Sequence, residues 1–161
     1  MPRFCLDSNV FIQAKNGPYG MDIWPSFWTW LDRMLQEDTV VSSLLVYDEI
    51  ARGKDELAEW VRDPTRKDAF LPPSLEVQEI FNDIVEYVTT QQYPEYRFSE
   101  FLDGADPWII AQAKVDNLIV VTHETLVPEN SKKIKVPNIC RQFDVEWMNV
   151  TQMLRGLNAR F

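Results

Sequence analysis

The chain has 161 residues, 45% of them apolar, enough for one ordinary domain with a single core. Its net charge of -9, from 16 Lys and Arg against 25 Asp and Glu, excludes a general nucleic-acid coat, because phosphate contacts have to be made by cations. No apolar run approaches the ~18 residues that span a bilayer, no charged-then-apolar leader opens the sequence, and Cys5 and Cys140 lack CxxC or His spacing; we expect a soluble cytoplasmic protein with core thiols and neither zinc nor disulfides.

Arg3 to Leu6 reads as a short buried strand, followed by a helix from Ser8 to Lys15 that stops at Asn16-Gly17-Pro18. After a loop, the apolar spacing from Pro25 to Gln36 is helical, Thr39 to Val41 reads as a strand, and Ser43 to Arg52 as a helix stopped by Gly53. Two more helices are expected at Lys54 to Asp63 and Ser74 to Gln91, the second capped by Ser74 after Pro72-Pro73. Gln92 to Phe98 reads as a polar and aromatic connection. Then come a helix from Pro107, a strand from Leu118 to Thr122, a basic loop, a short helix from Asn138 to Phe143, a strand from Val145 to Met148 and a last helix from Thr151 to Leu157. Strands alternating with helices imply an α/β fold, a three-layer α/β/α sandwich with a mainly parallel central sheet, in one domain over residues 1–161.

In such a sheet the loops at the carboxyl ends of the strands form the functional crevice. Asp7 closes the first strand, Glu124 follows the Leu118 to Thr122 strand, Asp106 opens the helix before that strand, and Glu49 lies in the helix after Val40-Val41. Each has an ordinary alternative: a strand-to-helix turn for Asp7, a surface pair with Arg52 or Lys54 for Glu49, an N-cap before Pro107 for Asp106, a loop cap for Glu124. Their common placement at element ends favours one divalent-metal site, with carboxyl groups on the order of 4–8 Å from a shared centre. Hard oxygen donors without a His or Cys cluster suit Mg²⁺ or Mn²⁺ and phosphodiester hydrolysis. Asp103 is a fifth acid, either a metal ligand through water or a solvated turn residue before Gly104; His123, the single histidine, is expected to point away from its neighbours on the strand end.

The six tryptophans could stack RNA bases, but Trp24, Phe27, Trp28 and Leu31 recur at helical spacing, which favours packing in the core or between the copies of a homodimer. Residues 131 to 161 carry six Lys or Arg against two acids, so Lys132, Lys133 and Lys135 either touch phosphate or form a solvated face.

Four segments resemble the motifs of the PIN domain, a metal-dependent nuclease fold that includes the VapC-type toxins of bacterial toxin–antitoxin pairs: Leu-Asp-Ser-Asn-Val-Phe-Ile, Val-Ser-Ser-Leu-Leu-Val-Tyr-Asp-Glu-Ile, Ala-Asp-Pro-Trp-Ile-Ile-Ala-Gln-Ala and Ile-Val-Val-Thr-His-Glu. The resemblance implies an acidic quartet of Asp7, Glu49, Asp106 and Glu124, with Asn9 and Thr122 as polar helpers, a single-stranded or structured RNA substrate, and an antitoxin partner that covers the acids with an Arg or Lys. It departs in two places: Glu124 stands where Asp is commoner, and the segments Asn16 to Trp30 and Gln92 to Phe101 are longer or more aromatic. The expected activity is a metal-dependent endoribonuclease; the alternatives are a PIN-fold binding or regulatory module without strong catalysis and, last, a phosphatase with Asp7 as nucleophile, which lacks its second Asp because position 9 is Asn9.

Overall fold

Five strands form one parallel sheet in the computed structural model, which describes residues 1–161. In chain order the elements are β1 (Phe4–Leu6), α1 (Ser8–Asn16), α2 (Pro25–Gln36), β2 (Val40–Ser43), α3 (Leu44–Ala51), α4 (Glu56–Val61), α5 (Pro64–Lys67), β3 (Phe70–Leu71), α6 (Leu75–Thr90), α7 (Glu95–Asp103), α8 (Asp106–Asp116), β4 (Ile119–Val121), α9 (Val136–Gln142), β5 (Trp147–Met148) and α10 (Val150–Gly156). The strand order is β3-β2-β1-β4-β5 and every neighbouring pair is parallel. All residues of β1 and β2 are buried, so side chains on both faces of the pleat meet helices, as a parallel sheet requires. Helix α8 lies along β1, β2 and β4 with α6, α7 and α9 packed on it, while α1 packs with α3 and α4, and α2 against β2.

Local chemistry explains where the elements begin. Ser74 accepts the Val77 N–H as the cap of α6, and Asn149 with Gln152 closes a reciprocal capping box on α10. Asp55 caps on the Ala58 N–H, so α4 starts at Glu56 and is shorter than the expected Lys54 to Asp63 helix. Phe27, Trp28, Trp30 and Leu31 of α2 are buried in the core, whereas Trp24 is 41% exposed. Cys5 and Cys140 are buried free thiols. No helix is long and apolar enough to cross a membrane.

The expected connection from Gln92 to Phe98 is overturned: Glu95 to Asp103 is helix α7, whose buried Phe101 anchors it beside α8. Helix α5 and strand β3 are likewise additions. Asp63 caps α5 with Pro64 at its first position, and β3 adds a two-residue edge next to β2.

Candidate active site

From β1 the chain builds outward through β2 to β3, then returns to lay β4 on the other side of β1. The loops leaving β1 and β4 therefore part in opposite directions, and the crevice between them opens at the carboxyl edge of the sheet. Asp7 leaves β1 there, and Thr122, His123 and Glu124 leave β4. Since α8 leads directly into parallel β4, it runs against the strands and sets its N-terminus over the same edge.

Asp7 is 1% exposed and its carboxylate is held from three sides. Oδ1 accepts the Asn9 N–H at 3.3 Å, which makes Asp7 the cap of α1, and the Ser8 hydroxyl at 3.3 Å; Oδ2 accepts the Thr122 hydroxyl at 3.0 Å. The Thr122 oxygen in turn accepts the Glu124 N–H at 3.1 Å, so one hydroxyl joins the end of β1 to the loop after β4. Burial raises the Asp7 pKa, with the bonds from Asn9, Thr122 and Ser8 pulling it back.

Glu49 does not pair with Arg52 or Lys54. Its Oε1 accepts the Ala105 N–H at 3.0 Å and ties α3 to the start of α8, while Arg52 donates to the Asp48 carbonyl. The N-cap of α8 is Ala105 and not Asp106, and no side chain caps that end, so the Asp106 carboxyl at the first helical position is not consumed locally. Its pKa is pushed up to about 8, first by burial and then by the charges of Asp7, Glu124 and Glu49, with Lys135 opposing. Glu124 accepts the Val136 N–H at 3.1 Å, a cap supplied to α9 across the loop, and burial raises its pKa despite that bond and Lys135. Beneath them the Cys140 thiol is held protonated, by burial and by Glu124, Asp106 and Asp7.

Asp106 is thus the point at which the fields of the other three acids meet. No three His, Cys, Asp or Glu side chains stand within ligating reach of one ion. The donor set still fits Mg²⁺ or Mn²⁺, which keep several waters and take one or two direct carboxylates from the protein, and a divalent charge would offset the burial and the repulsion that raise the Asp106 pKa.

Other expected residues fall around this centre. Asn9 is exposed and serves Asp7 through its backbone, and Asp103 shares with Glu49 a cavity of about 440 Å³ between α3 and the turn from α7 to α8. His123 is exposed beside α1, in a cavity with Val10 and Tyr19. Lys133 and Lys135 line a cavity of about 260 Å³ with Asp106 and Glu124; Lys132 lies outside it. The same cavity is lined by Arg97, which sequence reasoning missed because its helix was read as a loop. The signal was the spacing of Phe98, Phe101 and Leu102, an apolar face three and four residues apart.

The model of a family described as a domain of unknown function, DUF4411, matches residues 4–161. No curated protein matches the chain. Among solved structures it is similar to FitAcB from Neisseria gonorrhoeae, at 23% identity and a TM-score of 0.54 over 91% of this chain and 96% of that one. It is also similar to FitAB bound to an IR36 DNA fragment, at 19% identity and a TM-score of 0.52 over 91% and 94% of the two chains. The α/β fold with its parallel five-stranded sheet is PIN-like.

Proposed function

The chain belongs to the DUF4411 family, and from the site that its fold assembles we propose that the protein is a metal-dependent ribonuclease hydrolysing RNA phosphodiester bonds, the toxin of a toxin–antitoxin pair. The observation that carries this reading is the Asp106 carboxyl, left free of any cap and pushed up to about 8 by burial and by Asp7, Glu124 and Glu49. Acids gathered against their own repulsion at the mouth of a sheet are what a hard cation requires. Asp7, Glu49, Asp106 and Glu124 would hold Mg²⁺ or Mn²⁺, one or two of them directly and the others, like Asp103, through water. The chemistry that a bound ion supplies is activation of a water and neutralisation of charge at phosphorus. The chain's own groups fix the geometry: Thr122 orients Asp7, Glu49 holds the start of α8, and Lys135 adds a cation beside Asp106 and Glu124. The antitoxin pairing follows from the resemblance to VapC-type toxins, and the negative charge of the half-buried Glu49, Asp106 and Glu124 suits an inserted Arg or Lys from such a partner.

One observation favours a second reading, a PIN-fold binding module without catalysis: Glu49 and Glu124 each already bond a backbone N–H, and no three acids are set at ligand spacing. The two readings separate on a cleavage assay. Purified protein should cut single-stranded RNA in Mg²⁺ or Mn²⁺, EDTA should stop it, and Asp106→Asn should slow it at least ~10²-fold, the equivalent of about 3 kcal/mol in the barrier. Absence of cleavage over varied RNAs, with metal binding demonstrated, would favour the module; cleavage unchanged in Asp106→Asn would remove Asp106 from the site.

A further inference from the structure

The cavity beside Asp106 and Glu124 contains a group that no part of the acidic site explains. Arg97, on the unanticipated helix α7, lines this cavity and sets its guanidinium carbon 5.0 Å from the centre of the neighbouring Tyr96 ring. Its Nε is buried without any hydrogen-bond partner, and Arg97 takes part in none of the five ion pairs of the protein. A buried guanidinium N–H left unpaired is costly, so it is retained where something else satisfies it. Lys133 and Lys135, which line the same cavity, are also absent from every ion pair. Three cations outside every ion pair therefore line a space of about 260 Å³ together with the acids Glu100, Asp106 and Glu124.

We propose that Arg97, with Lys133 and Lys135, binds a backbone phosphate of single-stranded RNA adjacent to the one cleaved, and so sets the register of the strand over the acids. The inference rests on the ribonuclease reading and adds to it the contact that positions the substrate. A guanidinium presents its N–H groups as a planar fork, which matches two phosphate oxygens, and with the two lysines it offsets the repulsion that Glu100, Asp106 and Glu124 exert on a phosphate in the same cavity. Lys133 gives the strand its direction, because it also lines a second cavity of about 590 Å³ with Tyr87, Tyr93, Lys132 and Arg141. That space offers aromatic faces and further cations to the next nucleotide.

The test separates binding from cutting. A short end-labelled single-stranded RNA is titrated by fluorescence anisotropy in EDTA, where the proposed chemistry is off, against wild type, Arg97→Gln, Arg97→Lys and Arg33→Gln, an equal charge change on the exposed face of α2. Arg97→Gln should weaken binding about tenfold and lower the salt slope by about one charge, with Arg97→Lys between it and wild type and Arg33→Gln close to wild type. Thermal melts show which variants are folded, and Arg97→Lys, which keeps charge and stem, serves if Arg97→Gln is not. Equal affinities for wild type, Arg97→Gln and Arg97→Lys would overturn the proposal even if the protein cuts RNA. Weakened binding in the Arg97 variants of a protein that never cuts would uphold the contact and remove the ribonuclease reading instead.

Discussion

At the scale of single residues, Asp106 sets the pH behaviour of the site. With its carboxyl raised from 3.8 to about 8, the folded protein keeps a proton that the unfolded chain has lost throughout that window. Stability from this group therefore falls as pH rises from acid to mildly alkaline, because the native state binds the extra proton. Asp106→Asn, uncharged at every pH, should raise the melting temperature of the metal-free protein by about 2–4 °C near pH 8 and change it little near pH 4. A lower melting temperature at both pH values would show that the Asp106 carboxyl is not raised by burial and its acidic neighbours. The proposed metal ion would have to displace the same proton, so stabilisation by Mg²⁺ or Mn²⁺ should grow from about pH 6 to about pH 9 and vanish in the Asp7→Asn, Asp106→Asn double variant. An undiminished metal shift in that variant would put the ion elsewhere. Thr122 acts one step back. Thr122→Val removes the hydroxyl that bonds buried Asp7 at 3.0 Å and should cost about 1–3 kcal/mol in denaturant unfolding, while Thr122→Ser should recover most of it.

Among the elements, the tight passage from α8 into β4 has a specific requirement. Asn117 ends α8 at φ 54°, ψ 51°, the left-handed region, and its N–H bonds the Ala113 carbonyl. Asn tolerates this geometry and Gly tolerates it better, whereas a Cβ without a compensating polar group is penalised. Asn117→Ala should lose about 1 kcal/mol of unfolding free energy, and Asn117→Gly should be neutral within a few tenths; equal losses would mean that the Asn side chain itself is needed. Elements with a strong local signature were legible in the sequence. Helix α2 spans the expected Pro25 to Gln36 because its aromatic face has helical spacing, and α6 begins after the expected cap Ser74. Strand β3 was not legible: two residues between Asp68 and Pro72-Pro73 show no alternation, and their strand character comes from pairing with Ser42 and Ser43. The same limit hid α7, since Gln92 to Phe98 has the polar and aromatic composition of a connection, with Pro94 within it, while Phe101 gains its meaning only by burial beside α8. In the candidate site the acids were legible by their place at element ends, and Arg97 was not, because its orientation depends on that hidden helix.

For the molecule as a whole, the C-terminal residue closes the aromatic end of the core. The Phe161 ring meets Tyr19, Phe27 and Trp30 edge-on, with centroids 6.1, 5.5 and 5.6 Å away, joining the chain's last residue to α2 and to the loop after α1. Phe161→Ala should lower stability by about 1–2 kcal/mol, less than a fully buried Phe because this ring is 40% exposed, and should leave the metal-dependent shift intact. A lost metal shift would mean that this end of the core communicates with the acids. A different consequence follows from the margins of the sheet. Its two outer strands, β3 and β5, contain only two residues each. They present almost no row of free backbone N–H and C=O groups to a foreign strand, and this guards the protein against edge-to-edge aggregation and amyloid-like templating. It also restricts how any partner protein can dock: strand addition has no purchase here, so recognition has to come from side chains laid onto helical faces or inserted into the acidic mouth.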